Sequence, residues 1–220
     1  MPEHEKGDAP MSEQRVDLPL PAADGEKTVE ETIEERRSHR DFASQPLTLQ
    51  QVSRLLWAAQ GVTAPQDGFR ACPSAGATFP LEVFTAVGKR GVQGLEQGVF
   101  RYVPADHELA RTGADDIRSD IASAALGQNF VATAPVGVLL AAQSLRTTMQ
   151  YGERGRRYVH MEAGHASQNI YLQAESLGLV TVAVGAFREE PMSRIYGLPQ
   201  QLDPLYLMPV GHPASAGGNG

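Results

Sequence analysis

The order of helical and strand-like segments along this chain predicts an α/β or α+β sandwich built on one central sheet. Three observations predict it. Apolar residues recur at helical spacing in Val52, Leu55, Leu56 and Ala59, and residues 157–177 form a much longer helical pattern. Short apolar runs bounded by Gly and Pro are interleaved with these segments. One run, residues 135–142 (PVGVLLAA), is apolar throughout, and its length favours a strand buried on both faces. Periodicity alone does not choose between the two classes.

Residues 1–27 are rich in Pro, Glu, Asp and Ala and are expected to form a flexible arm, with its VDLPLPAA end packed on the body. Residues 28–213 make the folded domain, and the tail 214–220 is expected to be disordered. Residues 30–37 read as a short helix with Thr28 as N-cap. A second helix begins near Thr48, where Thr48 and Gln51 match a capping box, and Gly61 stops it. Trp57 lies between its core positions and is placed to reach a partner surface. Residues 65–77 carry Gly, Pro and small residues and read as a loop. Strands are expected at 81–87, 98–103 and 135–142, with a helix at 115–126 between the last two. The long helix at 157–177 ends at Gly178, and strands at 181–187 and 205–210 close the domain.

The chain has 220 residues, which suits one domain or one protomer of a tight dimer. Its formal net charge of -7 argues against general nucleic-acid binding, which needs a broad basic surface. No run approaches the length of a membrane span, and the polar, acidic start lacks the features of a signal peptide. A single cysteine, Cys72, excludes an internal disulfide and a multi-cysteine metal site, and it fits a reducing cytoplasm. Its expected role is that of a buried spectator.

Against that acidic background stands RRSHRDF, residues 36–42, with three guanidinium groups and a hydroxyl inside five residues. Arg offers a planar fork of donors that matches phosphate oxygens, and Ser adds a neutral donor. A solvated basic face paired with Glu34, Glu35 and Asp41 is the competing reading. Farther on come ACPSAGATFPLEVF (71–84), YGERGRRYVHMEAGHASQNIYLQAESLGLVTVAVGAF (151–187) and PLYLMPVGHP (204–213).

In this order, the four segments resemble the FMN-dependent nitroreductase family, closest to its SagB-type, azoline-oxidase-like branch. The resemblance covers residues 29–213. It implies an α+β fold, a nitroreductase-like three-layer α-β-α sandwich with a central, mostly antiparallel sheet. It also implies an obligate homodimer with active sites at the subunit interface.

Residue by residue, Arg36, Ser38 and Arg40 match the family's phosphate-binding Arg-x-Ser-x-Arg pattern, and Arg37 either joins the flavin site or faces solvent. Pro73, Ser74, Ala75 and Gly76 match its PSxG segment, whose small residues and Ser74 hydroxyl would reach the ribityl chain or pyrimidine edge; an ordinary tight turn reads the same. Phe79, Pro80 and Leu81 correspond to a segment that touches the partner's flavin. Val184, Gly185 and Ala186 correspond to the stretch passing the ring at N5, where the Gly185 amide would donate; a glycine kink at a strand end is the alternative. Gln128 falls where the family places a Gln near the flavin, and a capping Gln would look the same.

Two departures stand out. Azoline oxidases carry a Lys-Tyr pair as acid/base machinery, and here Tyr151 follows Gln150, which cannot act as a proton acceptor. Many nitroreductases end with Lys or Arg near the phosphate, and here only His212 is available. Glu162 and His165 share a helical face and could suggest a metal, but no third ligand is in sight; polar contacts at a dimer interface explain Glu162, His165, Gln168 and Asn169 better.

The expected function is transfer of hydride through FMN between NAD(P)H and an organic acceptor. A nicotinamide would visit the flavin site, because no GxGxxG fingerprint is present. The alternatives are a SagB-type dehydrogenase that oxidises a peptide or small heterocycle with oxygen as acceptor, and a flavin-binding protein without turnover.

Overall fold

The computed structural model describes residues 14–22, 25 and 27–214. The chain runs β1 (Arg15–Asp17), α1 (Val29–Glu35), α2 (Leu49–Gln60), β2 (Val62–Ala64) and β3 (Phe69–Arg70). A 3-10 turn at Ala75–Ala77 precedes β4 (Leu81–Val87), β5 (Gly98–Val103), β6 (Glu108–Gly113), α3 (Arg118–Ala124) and α4 (Phe130–Thr133). The last part holds β7 (Val136–Ala142), α5 (Leu145–Tyr151), α6 (Arg154–Ser176), β8 (Val180–Thr181), α7 (Glu189–Tyr196) and β9 (Asp203–Gly211).

Seven strands form one antiparallel sheet in the order β1-β6-β5-β4-β7-β9-β8, so the expected antiparallel centre is present. β7 lies between β4 and β9, and all seven of its residues are buried, as its unbroken apolar sequence requires. Its side chains divide by the two-residue period of a strand. Val136, Val138 and Leu140 join a core with Leu55 of α2 and Ala166 of α6. Leu139 and Ala141 face a second core with Ile121 of α3 and Tyr196 of α7. Helices therefore cover both faces, giving the three-layer α-β-α arrangement.

Local chemistry fixes the two helices ahead of the candidate site. Thr28 Oγ1 accepts the Glu31 amide at 3.2 Å while Glu31 accepts the Thr28 amide at 2.7 Å, which starts α1. Thr48 and Gln51 exchange the same pair of bonds at 3.1 and 2.8 Å at the head of α2, and Gly61 caps its end.

Several expectations change. Part of the flexible arm is sheet: Arg15–Asp17 pairs with β6 and Leu18 is buried, while residues 1–13 and the tail 215–220 lie outside the described residues. The loop 65–77 contains β3, paired back on β2. β6 was not foreseen, because ELARTG is short and half polar, and pairing with β5 and β1 supplies what the sequence pattern lacks. The helix expected at 115–126 stops at Ala124, since Leu126 and Gly127 adopt φ of 59° and 76°. The strand expected at 181–187 is only two residues of β8 followed by extended chain, tied to β9 by Val184 and Leu207. α7 was missed because Pro191 suggests a break. It lies in the first turn, where the missing N–H has no helical acceptor anyway.

Candidate functional site

Tyr171 of α6 organises the first cluster. Its hydroxyl lies 2.9 Å from Ser38 Oγ and accepts the Ala183 amide at 2.8 Å. The Arg36 guanidinium stands 5.1 Å from the centre of its ring. Ser38 also bridges to Thr181, and the His39 amide donates to the Thr181 carbonyl at 3.0 Å. The Arg-rich run is thus laid along the outer edge of β8. Sequence reasoning missed Tyr171, whose role depends on a partner more than 130 residues away.

Arg40 reaches over Phe130 of α4, with 5.7 Å to the ring centre. Among the described residues neither Arg36 nor Arg40 forms an ion pair, and Glu35 is held by Lys27 at 2.6 Å. Arg40 is exposed and Arg36 is half-buried, so their guanidinium donors remain open to an anion, and the exposed Ser38 hydroxyl lies beside them in its bond to Tyr171. Arg37 does not join them: its guanidinium folds back onto the Glu34 and Arg36 carbonyls at 2.7 and 2.8 Å, at the end of α1.

The extended stretch after β8 lies beside this cluster. Val184 spends both its amide and its carbonyl on Leu207, at 2.8 and 3.0 Å. Gly185 and Ala186 are exposed, and the Gly185 amide has no partner among the described residues. A side chain at Gly185 would come within 3.3 Å of the Tyr206 ring. Gln128 donates to the Ala186 and Ala125 carbonyls at 3.0 and 2.8 Å, so it secures this stretch and has no free amide hydrogen bond of its own to direct elsewhere along those lines. Arg36, Ser38, Arg40, Gln128 and residues 184–186 therefore gather at one end of the sheet.

The second cluster forms around residues 73–79. Gly76 adopts φ of 59°, and Ala77 and Phe79 share that left-handed region at 52° and 42°. Gly76 holds that conformation without cost, but Ala77 and Phe79 store strain in it, and such strain concentrates at functional sites. Gly76 packs against α5 so closely that a Cβ there would lie 2.5 Å from Tyr151 Oη and 2.8 Å from the Gln150 amide. Tyr151, Gln150 and the PSAG turn thus meet within one chain, where the sequence shows only a loop at 142–155. Pro73 is exposed, Ser74 and Ala75 are half-buried, and Ser74 Oγ accepts the Phe79 amide at 2.9 Å. Leu81 differs from its expected role: its side chain is only 2% exposed and belongs to the core at the start of β4.

Beneath the turn lies Glu162 of α6, 2% exposed. It takes a long 3.5 Å hydrogen bond from Gln60 Nε2, while Arg70 donates to Gln60 Oε1 at 2.9 Å and stacks 4.6 Å from the Phe79 ring. Burial pushes its carboxyl up to about 7, against the opposing pull of Ser74, Gln60 and Arg70. The polar residues of α6 consequently do not act as one set. Glu162 is internal, Asn169 donates to the Ala58 and Ala71 carbonyls at 3.0 and 3.4 Å, and His165 and Gln168 are exposed. Glu162 and His165 fall on either side of the edge of the buried stripe. No metal-ligating cluster is found among the described residues.

Cys72 is fully buried and its thiol is pushed up to about 12, which leaves it inert. Burial lowers His212, so it is neutral at pH 7 and does not replace a C-terminal cation.

The two clusters attach to α6 at Tyr171 and Glu162. Nine residues separate them, about 13 Å along the helix and half a turn around it. They occupy opposite flanks of the helix.

Comparison with known proteins places this geometry. The model of the nitroreductase family matches residues 33–212. A protein of Methanocaldococcus jannaschii, provisionally assigned as a nitroreductase, is 46% identical over 196 residues, which cover 89% of this chain and 96% of that protein. A crystal structure from Ralstonia eutropha, also provisionally assigned as a nitroreductase, is 30% identical with a TM-score of 0.80, covering 94% of this chain and 93% of the other. The NADPH:FMN oxidoreductase of Vibrio harveyi, solved in complex with NAD+, shares the fold at 21% identity and a TM-score of 0.59, covering 84% of this chain and 68% of that one.

Proposed function

The chain belongs to the nitroreductase family, and from that premise we propose that it is a cytoplasmic FMN-dependent oxidoreductase, a homodimer that takes hydride from NAD(P)H and passes electrons to an organic acceptor. The observation that carries this reading is the unspent Gly185 amide on the stretch that the Tyr171 hydroxyl ties, through Ala183, to Ser38 and the open guanidinium donors of Arg36 and Arg40. A cationic end and a donor set apart from it fit a phosphate and a flavin ring in turn. When bound, FMN supplies the two-electron chemistry.

The chain's own residues do the rest. Arg36 and Arg40 neutralise the phosphate, with Ser38 as a neutral donor. The Gly185 amide donates at the ring's N5, a fixed dipole where charge develops. Gln128 steadies the Ala186 carbonyl and so keeps the amide in place.

The opposite flanks of α6 support the homodimer. A cofactor on the Arg36 cluster of one copy would meet the Ser74–Phe79 turn of a second. Leu145 and Met149, 61% and 80% exposed and one helical turn apart on α5, and Met161 on α6, 51% exposed, offer an apolar surface for that contact. Gly164 has open space where a Cβ would stand, which suits close approach of another helix.

The test is the visible spectrum of the purified protein before and after NADPH or NADH is added without oxygen. A yellow protein that bleaches is expected. A yellow protein that no nicotinamide reduces would point to flavin binding without this donor, and a protein that never takes up FMN would sink the reading.

A second reading is favoured by the Tyr151 hydroxyl at Gly76. In it the enzyme is a SagB-type dehydrogenase, with Tyr151 moving a proton while a peptide or small heterocycle gives up two electrons and two protons, which oxygen finally accepts as hydrogen peroxide. Tyr151→Phe would then abolish oxidation of such a substrate while flavin stays bound; unchanged oxidation would exclude that role for Tyr151.

A further inference from the structure

Arg70, the last residue of β3, is a half-buried cation with no counter-ion among the described residues. The two carboxylates nearest in charge are engaged elsewhere. Glu82 pairs with Arg146 at 2.7 Å and with Arg101 at 3.7 Å, and Glu162 takes its 3.5 Å bond from Gln60. Burial draws the Arg70 pKa below its ordinary value, yet a guanidinium stays protonated at neutral pH. A charge taken partly out of water is costly unless it is paired.

The bonds of Arg70 show which donors are spare. A guanidinium has five N–H donors in a planar fork. Nη1 donates to Gln60 Oε1 at 2.9 Å, and the central carbon stands 4.6 Å from the centre of the Phe79 ring. Nε and Nη2 have no partner among the described residues, and neither is sealed from solvent. Together they form one edge with two parallel N–H bonds, which matches a planar group whose negative charge is shared by two atoms, as in a carboxylate.

This edge stands on a rigid support. Phe79 is held at each of its groups: its amide donates to Ser74 Oγ at 2.9 Å, its carbonyl accepts from Arg146 at 3.0 Å, and its half-buried ring lies against Arg70. Thr78 Oγ1 and Thr147 Oγ1, 2.8 Å apart, tie the same turn to α5. We propose that Arg70 is a specificity-determining residue whose Nε–Nη2 edge binds a planar anion of the carboxylate kind, seated against the Ser74–Phe79 turn. This rests on the reading of that turn as the part of one copy that meets the flavin of the other. Two sources present such an anion there. One is a carboxylate on the electron acceptor, which makes aromatic acids the preferred substrates. The other is the pyrimidine edge of the flavin, where N1 and the neighbouring carbonyl oxygen share negative charge once the ring is reduced.

The experiment titrates the full-length protein, loaded with FMN, with benzoate and with benzamide, which has the same shape and no charge, following the visible flavin spectrum. Wild type is expected to bind benzoate about tenfold more tightly than benzamide. Arg70→Met keeps an apolar stem against Phe79 and should lose that preference, while Arg70→Lys, a point charge without the planar edge, should keep only part of it. A second measurement compares the affinity of each form for oxidised and for dithionite-reduced FMN. A benzoate preference that depends on Arg70, with that ratio unchanged, assigns the anion to the acceptor. A preference for reduced FMN that falls about tenfold in Arg70→Met, with no benzoate preference in wild type, assigns it to the flavin edge. Circular dichroism verifies folding, and if Arg70→Met does not fold, the partial loss in Arg70→Lys decides. If no Arg70 variant changes either quantity, the proposal is overturned while the FMN reading stands. Protein that never takes up FMN overturns that reading and this proposal with it.

Discussion

At the residue scale, the site depends on side chains that answer to distant partners. Tyr171 joins Ser38 to Ala183 with one hydroxyl, so Tyr171→Phe leaves the Ala183 amide without its acceptor. The expected cost is about 1–3 kcal/mol in urea unfolding, with FMN affinity reduced about tenfold. Glu162 sets a pH dependence of stability. Its folded value of about 7 exceeds its ordinary 4.5, so the fold holds the proton more tightly than the unfolded chain. That contribution is complete below pH 4.5 and is lost as pH rises through 7, an effect on the order of 3 kcal/mol. Unfolding curves at pH 5 and pH 8 should show this loss in wild type and not in Glu162→Gln. Asp116, held down to about 2 by Arg118, acts in the opposite sense and in the window below 3.8, so the two effects do not overlap. Arg36 and Ser38 were legible in the sequence because their chemistry is local. The burial of Glu162 was not, because it is produced by α2, β3 and the turn at Ser74 together.

At the element scale, capping chemistry was readable and context was not. Thr48 with Gln51 marks the head of α2 within four residues of sequence, and β7 announces itself by an unbroken apolar run. α5 and β6 carry no such local mark. LRTTMQY has one buried side chain, Thr147, and becomes a helix by packing on α6 and on the turn at Gly76. The turn itself can be tested. Gly76→Ala meets both a left-handed backbone and the Tyr151 and Gln150 side chains, while Gly68→Ala, at φ of 71°, meets open space. Gly68→Ala should cost about 1 kcal/mol from the backbone alone. Gly76→Ala should cost more in thermal unfolding and should also weaken FMN binding, which Gly68→Ala leaves unchanged.

At the scale of the whole molecule, the proposed active site exists only between two copies, so assembly and cofactor retention should fail together. Met149→Glu places a charge in the exposed apolar patch of α5. Analytical ultracentrifugation is expected to show a shift from dimer to monomer, with bound flavin lost in proportion; a dimer that keeps its flavin would place the contact elsewhere. The α+β family fold was reachable from the order of four segments, but the full strand order was not, since β1 and β6 join the sheet through backbone pairing that leaves little trace in side-chain pattern. β1 has a further consequence. Among the described residues, its three residues, flanked by the backbone bonds of Gln14 and Leu18, form the strand that covers β6 at that rim. A chain shortened to begin at Leu18 would expose a ready-made row of amides and carbonyls, a template on which foreign strands can add. Light scattering should then report association beyond the dimer growing with concentration, in a protein whose net charge of -7 otherwise opposes such indiscriminate contact.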